Sequence, residues 1–470
     1  MFAKIQRVHF VGIGGIGMSG IAEVLLNLGF KVSGSDLKGS AVTERLASLG
    51  AKIFVGHRAE NVQGAEVVVT SSAIARDNPE VLEARSHHIA LIQRAEMLAE
   101  LMRLKYGIAI AGMHGKTTTT SMVAAVLAAG KLDPTVVVGG RVDALGSNAR
   151  IGKSQYLVAE ADESDRSFLK LSPIISVVTN IDREHMDCYR DMADVEQAFV
   201  EFLDRLPFYG MAVVCNDDPT LVRLLPRLAR RVVTYGFAGD ADFRISASSA
   251  LVGPRGGSRF EVTYQGKKLG PFEVHVPGEH NVKNATAAVA VGIGLDIPVA
   301  DIVRGLAEFS GVDRRFQIKG QAANVTVIDD YGHHPTEIKA TLSAARACGY
   351  RKIHVVFQPH RYTRTRDLLD DFAKAFVDAD TVTVLDIYAA SEDPIPGVTG
   401  EVLARTVARF HPQCAYADSF ETAIESISAR ASSGDMVLTL GAGNVSQLGP
   451  LLLSHLGAHR ERETGATKTG

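Results

Sequence analysis

The chain has 470 residues, 46% of them hydrophobic and 22% charged, so it carries more apolar material than one core usually organises and two to four domains are expected. Fifty basic residues against 53 acidic ones leave a formal net charge of -3, which excludes a one-signed field for nucleic acid or an anionic membrane; phosphate recognition has to be local. Cys188, Cys215, Cys348 and Cys414 show no C-x-x-C spacing, the start Met1 to Arg7 is too short and polar for a signal peptide, and no apolar run approaches the about 18 residues that span a bilayer, so a cytosolic protein with reduced thiols is expected.

The first series of short apolar runs, Val8 to Val11, Lys31 to Ser33, Ala51 to Val55, Glu66 to Thr70 and Ile89 to Ile92, alternates with helical stretches and predicts a Rossmann-like domain over residues 1–104. Its first run leads into Gly12, Gly14, Gly15 and Gly17, a G-x-G-x-x-G turn, with Asp36 at the spacing of a ribose-binding acid. Such a turn serves NAD, FAD or any diphosphate that meets a helix N-terminus.

A second series occupies residues 105–311, with strands expected before Gly112 and at Val136 to Val138, Tyr156 to Ala159, Ile174 to Thr179 and Met211 to Cys215. Alternating, glycine-interrupted segments between Phe243 and Val276 add a small antiparallel ribbon, so this P-loop-type domain has a mixed sheet. Gly112, Met113, His114, Gly115, Lys116, Thr117 and Thr118 form a strand-to-loop-to-helix phosphate cradle of the form G-x-x-G-K-T, with Ile110 where the full P-loop pattern has glycine. Glycines admit backbone amides to the phosphate, Lys116 adds charge, and Thr117 is placed to hold magnesium.

Glu160 ends one strand and His185 follows another, a pair suited to magnesium beside a triphosphate, or else two solvated loop residues. Asn281 and Asn284 share one helical face, where two amides read a purine edge or cap the helix. The third series, 312–456, is again Rossmann-like, with strands at Val325 to Ile328, Ile353 to Phe357, Thr381 to Leu385 and Met436 to Leu440. Asp330, Tyr331, His333, Arg361 and Arg364 follow two of these strands and form either a cationic floor for a carboxylate or phosphate, or a surface ion-pair network. Residues 457–470 are too polar to pack and are expected to be a disordered tail. The fold class is thus α/β, three domains in series.

The ordered set Gly12 to Gly20, Gly112 to Thr120, Glu160 to Asp165, His185-Met186-Asp187, His280 to Asn284 and Asp330 to Pro335 resembles the Mur ligase family over Val8 to about Leu453. The resemblance implies an ATP-dependent amide ligation in peptidoglycan precursor synthesis. Small-molecule partners follow from it: UDP-N-acetylmuramate, ATP and L-alanine, with magnesium, or manganese as a substitute, as the cofactor.

By the same resemblance Lys116, His185, Arg315, Asp330 and His333 are the catalytic group, and Thr117, Glu160 and His185 hold the metals. Gly112 to Thr118 with Asn281 and Asn284 bind ATP; Gly12, Gly14, Gly15, Gly17, Asp36, His57, Ser71 and Ser72 bind the UDP-sugar; Tyr331, His333, Arg361 and Arg364 receive the amino acid. Phe199 to Phe202 offers no lysine where other members of the family carry a carbamylated one, which agrees with the alanine-adding branch. Two competing expectations are the branch that attaches a whole tripeptide, which has Asp-Phe-Ala-His-His where this chain has Asp330-Tyr331-Gly332-His333-His334, and an NAD-dependent dehydrogenase built on the first glycine turn.

Overall fold

The computed structural model describes residues 5–71, 73–142, 147–186, 188–253 and 256–466. Its three sheets follow the three series in the sequence. The first contains β1 (Arg7–Val11), β2 (Lys31–Asp36), β3 (Lys52–Val55), β4 (Val67–Thr70) and β5 (Ala90–Gln93) in the order β3-β2-β1-β4-β5, with every pairing parallel. The order reverses between β1 and β4, and open α/β sheets bind ligands at such a switch point; the glycine turn follows β1 and Ser71 follows β4.

The second sheet has ten strands: β6 (Tyr106–Ala111), β7 (Thr135–Val142), β8 (Ser147–Arg150), β9 (Tyr156–Glu160), β10 (Ile175–Val178), β11 (Met211–Cys215), β12 (Val232–Gly236), β13 (Phe243–Ala250), β14 (Ser258–Tyr264) and β15 (Lys267–Val274). Their order is β15-β14-β13-β12-β11-β10-β6-β9-β7-β8. The sheet is mixed, since β6, β9, β10, β11 and β12 run parallel whereas β7 and β8 pair antiparallel. Between β14 and β15 both turn residues, Gln265 (φ 49°) and Gly266 (φ 74°), are left-handed, the two-residue hairpin geometry that matches strand twist.

The third sheet orders β16 (Gln317–Ala322), β17 (Val325–Asp330), β18 (Ile353–Phe357), β19 (Thr381–Val384), β20 (Cys414–Tyr416) and β21 (Met436–Leu440) as β16-β17-β21-β18-β19-β20. Its central strands are buried throughout because both faces are covered. Ile353, Val355, Phe357, Leu438 and Leu440 enter one core, while Val325, Val327, Val356 and Val437 enter another, as the two-residue period of a strand requires.

Four strands lie outside the sequence expectation: β8, β12, β16 and β20. Three of them, β8, β16 and β20, are sheet edges. An edge strand buries little, so its sequence (Ser-Asn-Ala-Arg in β8, Gln-Ile-Lys-Gly-Gln-Ala in β16) lacks the apolar run that betrays a central strand. The helix Leu448–Ala466 also continues into the stretch read as a polar tail, because Ala, Arg and Glu form helix without needing a core to pack on.

The chain divides into two compact units. The first is Met1–Ala247, Phe260–Phe272 and Lys283–Phe309; the second is Ser248–Arg259, Glu273–Val282 and Ser310–Gly470. Among the described residues no helix is long and apolar enough to cross a membrane.

Candidate functional site

In the first unit, the glycine turn is folded tightly on itself. The Gly12 and Ile13 amides donate to Ser35 O at 2.8 and 2.9 Å, and Gly14 N donates to Asp36 Oδ2 at 2.9 Å. Asp36, expected at a ribose, therefore also fixes the loop. The first amides of helix Ile16–Asn27 have no intrahelical acceptor and are the ones that face an anion.

His57 is oriented from below by a buried network. Its Nδ1 lies 2.9 Å from Ser35 Oγ, and Ser35 Oγ donates to Glu80 Oε2 at 2.6 Å. Fully buried Glu80 also meets His9 Nε2 at 3.2 Å and accepts from Asn61 Nδ2 at 2.6 Å. Burial pushes its carboxyl up, but the hydrogen bonds from His9, Ser35 and Asn61 outweigh burial and leave it below the usual glutamate range.

Ser71 lines a cavity of about 620 Å³ together with Arg76, Arg85, Leu91, Arg94 and Lys170. Ser72 lies outside the described residues. Arg94 links this region to the next: a Cβ on Gly17 would sit 2.9 Å from its Nη1, and its Nη2 donates to Asp162 Oδ2 at 3.1 Å. Arg94 carries no local signal in the sequence, because its partner is 68 residues away.

The second glycine loop joins β6 to helix Lys116–Ala129, with Gly112 (φ 128°) and Gly115 (φ 83°) both left-handed. Asn180 and Thr179, at the end of β10, clamp it. His114 N donates to Asn180 Oδ1 at 2.9 Å, while Thr179 Oγ1 and Asn180 Nδ2 donate to His114 O at 2.6 and 2.9 Å. His114 Nε2 lies 2.9 Å from Asp182 Oδ2. Thr117 and Thr118 open the helix, and a Cβ on Gly115 would lie 2.9 Å from Asn284 Oδ1, which brings Asn284 against the loop. Asn281, in the second unit, donates to Pro277 O at 2.7 Å, the helix-end use of an asparagine.

Lys116 Nζ has three acceptors: Gly112 O at 2.7 Å, Met113 O at 3.2 Å and Glu163 Oε1 at 2.7 Å. Burial lowers the pKa of this ammonium, but Glu163 by charge and hydrogen bond, then Asp162 and Glu160, more than offset it and leave the pKa raised. Glu160, at the end of β9, owes its place to the parallel register that pairs it with Ile110 of β6. His185, a non-glycine residue at φ 58°, brings Nε2 to 3.5 Å from Glu163 Oε1. The Glu163 backbone is held by Tyr189 Oη, which donates to its carbonyl at 2.6 Å.

These residues fit a divalent cation. Glu163 Oε2 is buried and receives no hydrogen bond, and hydroxyl, carboxylate and imidazole donors come from Thr117, Glu160, Glu163 and His185.

In the second unit, Asp330 ends β17 and accepts from Phe316 N and Gly332 N, both at 2.8 Å. Its burial raises its pKa, an effect that the Arg315 charge opposes. Arg315 pairs with Glu337 at 3.2 Å and lies 5.2 Å from the centre of the Tyr331 ring. His333 packs edge-on to Tyr331 and tilted against His360, with ring centres 5.4 and 5.8 Å away.

Arg364 Nη1 is 3.2 Å from His360 Nδ1, and Arg361 (φ 70°) opens the same short helix. Burial, then the charges of His333, Arg364 and Arg361, push His360 down to about 3, so it stays neutral beside these cations. Asp330 thus ends β17, Tyr331 and His333 follow it, Arg361 and Arg364 follow β18, and Arg315 reaches the first group through Glu337 and Tyr331. Glu337, not expected at the site, holds Arg315 and the His333 amide, and His360 joins the two strand ends through its contact with His333.

Three family models match the chain in order: the Mur ligase family catalytic domain over residues 7–106, the Mur ligase middle domain over 110–292 and the Mur ligase glutamate ligase domain over 314–443. Full-length relatives include a protein of Koribacter versatilis named UDP-N-acetylmuramate–L-alanine ligase, 69% identical over 466 residues, 98% of this chain and 99% of that one. One of the same name from Acidobacterium capsulatum is 66% identical over 97% of this chain and 99% of its own. The crystal structure of UDP-N-acetylmuramate-alanine ligase from Thermotoga maritima superimposes with a TM-score of 0.80 at 31% identity, covering 96% of this chain and 99% of that one.

Proposed function

The chain belongs to the Mur ligase family, and on that footing we propose that it joins L-alanine to the lactyl carboxylate of UDP-N-acetylmuramate while ATP is converted to ADP and phosphate. The reading is carried by the end-to-end likeness to ligases of that name. With it the dehydrogenase alternative falls away, and the first glycine turn takes the diphosphate of a sugar nucleotide. The reaction uses ATP and so belongs in the cytoplasm, where four cysteines outside any disulfide are also at home.

A carboxylate resists an amine until it carries a leaving group. The lactyl oxygen attacks the γ-phosphorus, the bond from that phosphorus to ADP breaks, and an acyl phosphate results. The free amine of L-alanine then adds to the acyl carbon, the bond from that carbon to the phosphate oxygen breaks, and the nitrogen gives up a proton as the amide forms.

Lys116 and the amides at the start of helix Lys116–Ala129 steady the phosphates during the first step. Thr117, Glu160 and His185 would hold magnesium, which neutralises charge on the transferring phosphoryl group. Asn284, already against Gly115, borders the nucleotide. Arg315 and Asp330 position the nucleotide, Tyr331 and His333 shape the amino-acid pocket, and Arg361 and Arg364 receive the alanine carboxylate.

The acyl phosphate can be followed by isotope. With both lactyl oxygens labelled as 18O, one label is expected in the released phosphate and the other in the amide carbonyl. Released phosphate without label would remove the acyl phosphate from the reaction.

A further inference from the structure

Between Glu160 and Asp165 the expected metal ligand is Glu160, yet it is Glu163 that touches the phosphate-binding lysine. Glu163 is fully buried, its Oε1 meets Lys116 Nζ at 2.7 Å and lies 3.5 Å from His185 Nε2, and its Oε2 is buried without a hydrogen bond. An ionised carboxylate accepts about four hydrogen bonds, so this one is short of partners in a place where that is costly. Lys116 is the opposite case. An ammonium has three protons, and here each has an acceptor.

A phosphate that takes Lys116 has to displace one of those acceptors. Gly112 O and Met113 O belong to the loop that carries the lysine, whereas Glu163 arrives from 47 residues away and can be released. Release leaves a buried anion whose cation has gone, and a buried charge is tolerated only when it is paired or binds a metal.

We propose that Glu163 hands Lys116 over to the nucleotide: it neutralises the lysine before ATP binds, and afterwards joins His185 as the anionic ligand of a divalent cation. The inference rests on the nucleotide reading of the Gly112–Thr117 loop. It couples the two ligands, because metal-free ATP has to break the Lys116–Glu163 pair without compensation, whereas ATP with magnesium replaces one cation by another.

The test is ATP titration of the full chain by calorimetry, with magnesium and with a chelator, for the natural protein and for Glu163→Gln. The natural protein should bind ATP roughly 10-fold or more tightly with magnesium, within the usual range of such couplings. In Glu163→Gln the affinities should move in opposite directions: metal-free ATP tighter than in the natural protein, magnesium-ATP weaker, and their ratio within about 3-fold, a change of the size that the loss of one coupled contact produces. Manganese resonance at saturating ATP should count one bound ion fewer in the variant. Glu163→Asp, which keeps the charge, should keep a preference for metal.

Equal loss of both affinities in Glu163→Gln, an unchanged ratio, or a Glu163→Asp protein indifferent to metal would each overturn the proposal. A natural protein that bound no ATP under either condition would instead remove the nucleotide reading on which it rests.

Discussion

Lys116→Ala is expected to abolish turnover while leaving the affinity for UDP-N-acetylmuramate within about 2-fold. The lysine opens the helix that follows β6, whereas the glycine turn, Asp36 and His57 lie on or beside strands of the first sheet. Loss of a positioned charge from a phosphoryl-transfer site costs on the order of 10³-fold in kcat, or about 4 kcal/mol of transition-state stabilisation. The substitution also removes the cation from buried Glu163, and breaking one side of such a pair costs about 3–5 kcal/mol of stability. The double variant Lys116→Ala/Glu163→Gln separates the two effects: it should regain thermal stability and remain inactive. Steady-state phosphate release, sugar-nucleotide calorimetry and thermal melts make the comparison. A Lys116→Ala protein that turned over at even a tenth of the natural rate would exclude the lysine from the chemistry.

Gly112→Ala should be nearly as damaging, for a steric reason. At φ 128° a side chain is strained, and the new Cβ would lie 2.1 Å from Thr179 Oγ1, 3.0 Å from Thr179 N and 3.1 Å from Asn180 N. The hydroxyl can rotate away, but only by giving up its 2.6 Å bond to His114 O, and the two amides are backbone and cannot yield cheaply. Backbone strain of about 1–3 kcal/mol adds to overpacking of similar size, so a loss of roughly 3 kcal/mol or more is expected, together with loss of ATP binding. Gly239→Ala, with nothing within 4 Å of the added methyl, serves as the control and should be within about 0.5 kcal/mol of the natural protein in urea unfolding. Equal stability of the two variants would contradict the geometry assigned to the loop.

The parts of the site that were legible in the sequence are local in the chain. Gly112 to Thr117 announces itself because strand, glycines, lysine and helix start occupy adjacent positions, and Gly12 to Gly17 does so for the same reason. Central strands such as β18 and β21 were read to the residue because burial on both faces makes them continuous apolar runs. Glu163 was hidden because its meeting with Lys116 depends on β6 and β9 being neighbours in register, which no local pattern encodes. Arg94 and the His9–Ser35–Glu80 network were hidden likewise: each joins elements that are distant in sequence, and a lone glutamate on a short helix ordinarily reads as a solvated residue. The ligand of the first glycine turn was ambiguous for a different reason. The amides at a helix start recognise phosphate whatever the phosphate is attached to, so the motif alone fits a redox dinucleotide as well as a sugar nucleotide.

The most direct test gives the full chain ATP, magnesium, UDP-N-acetylmuramate and single amino acids in turn, and measures released phosphate alongside the mass of the product. Phosphate should appear only when the sugar nucleotide and L-alanine are both present, in step with a product heavier by one alanyl residue. Phosphate release that ignored either substrate, or a product formed from a tripeptide and not from L-alanine, would contradict the assignment.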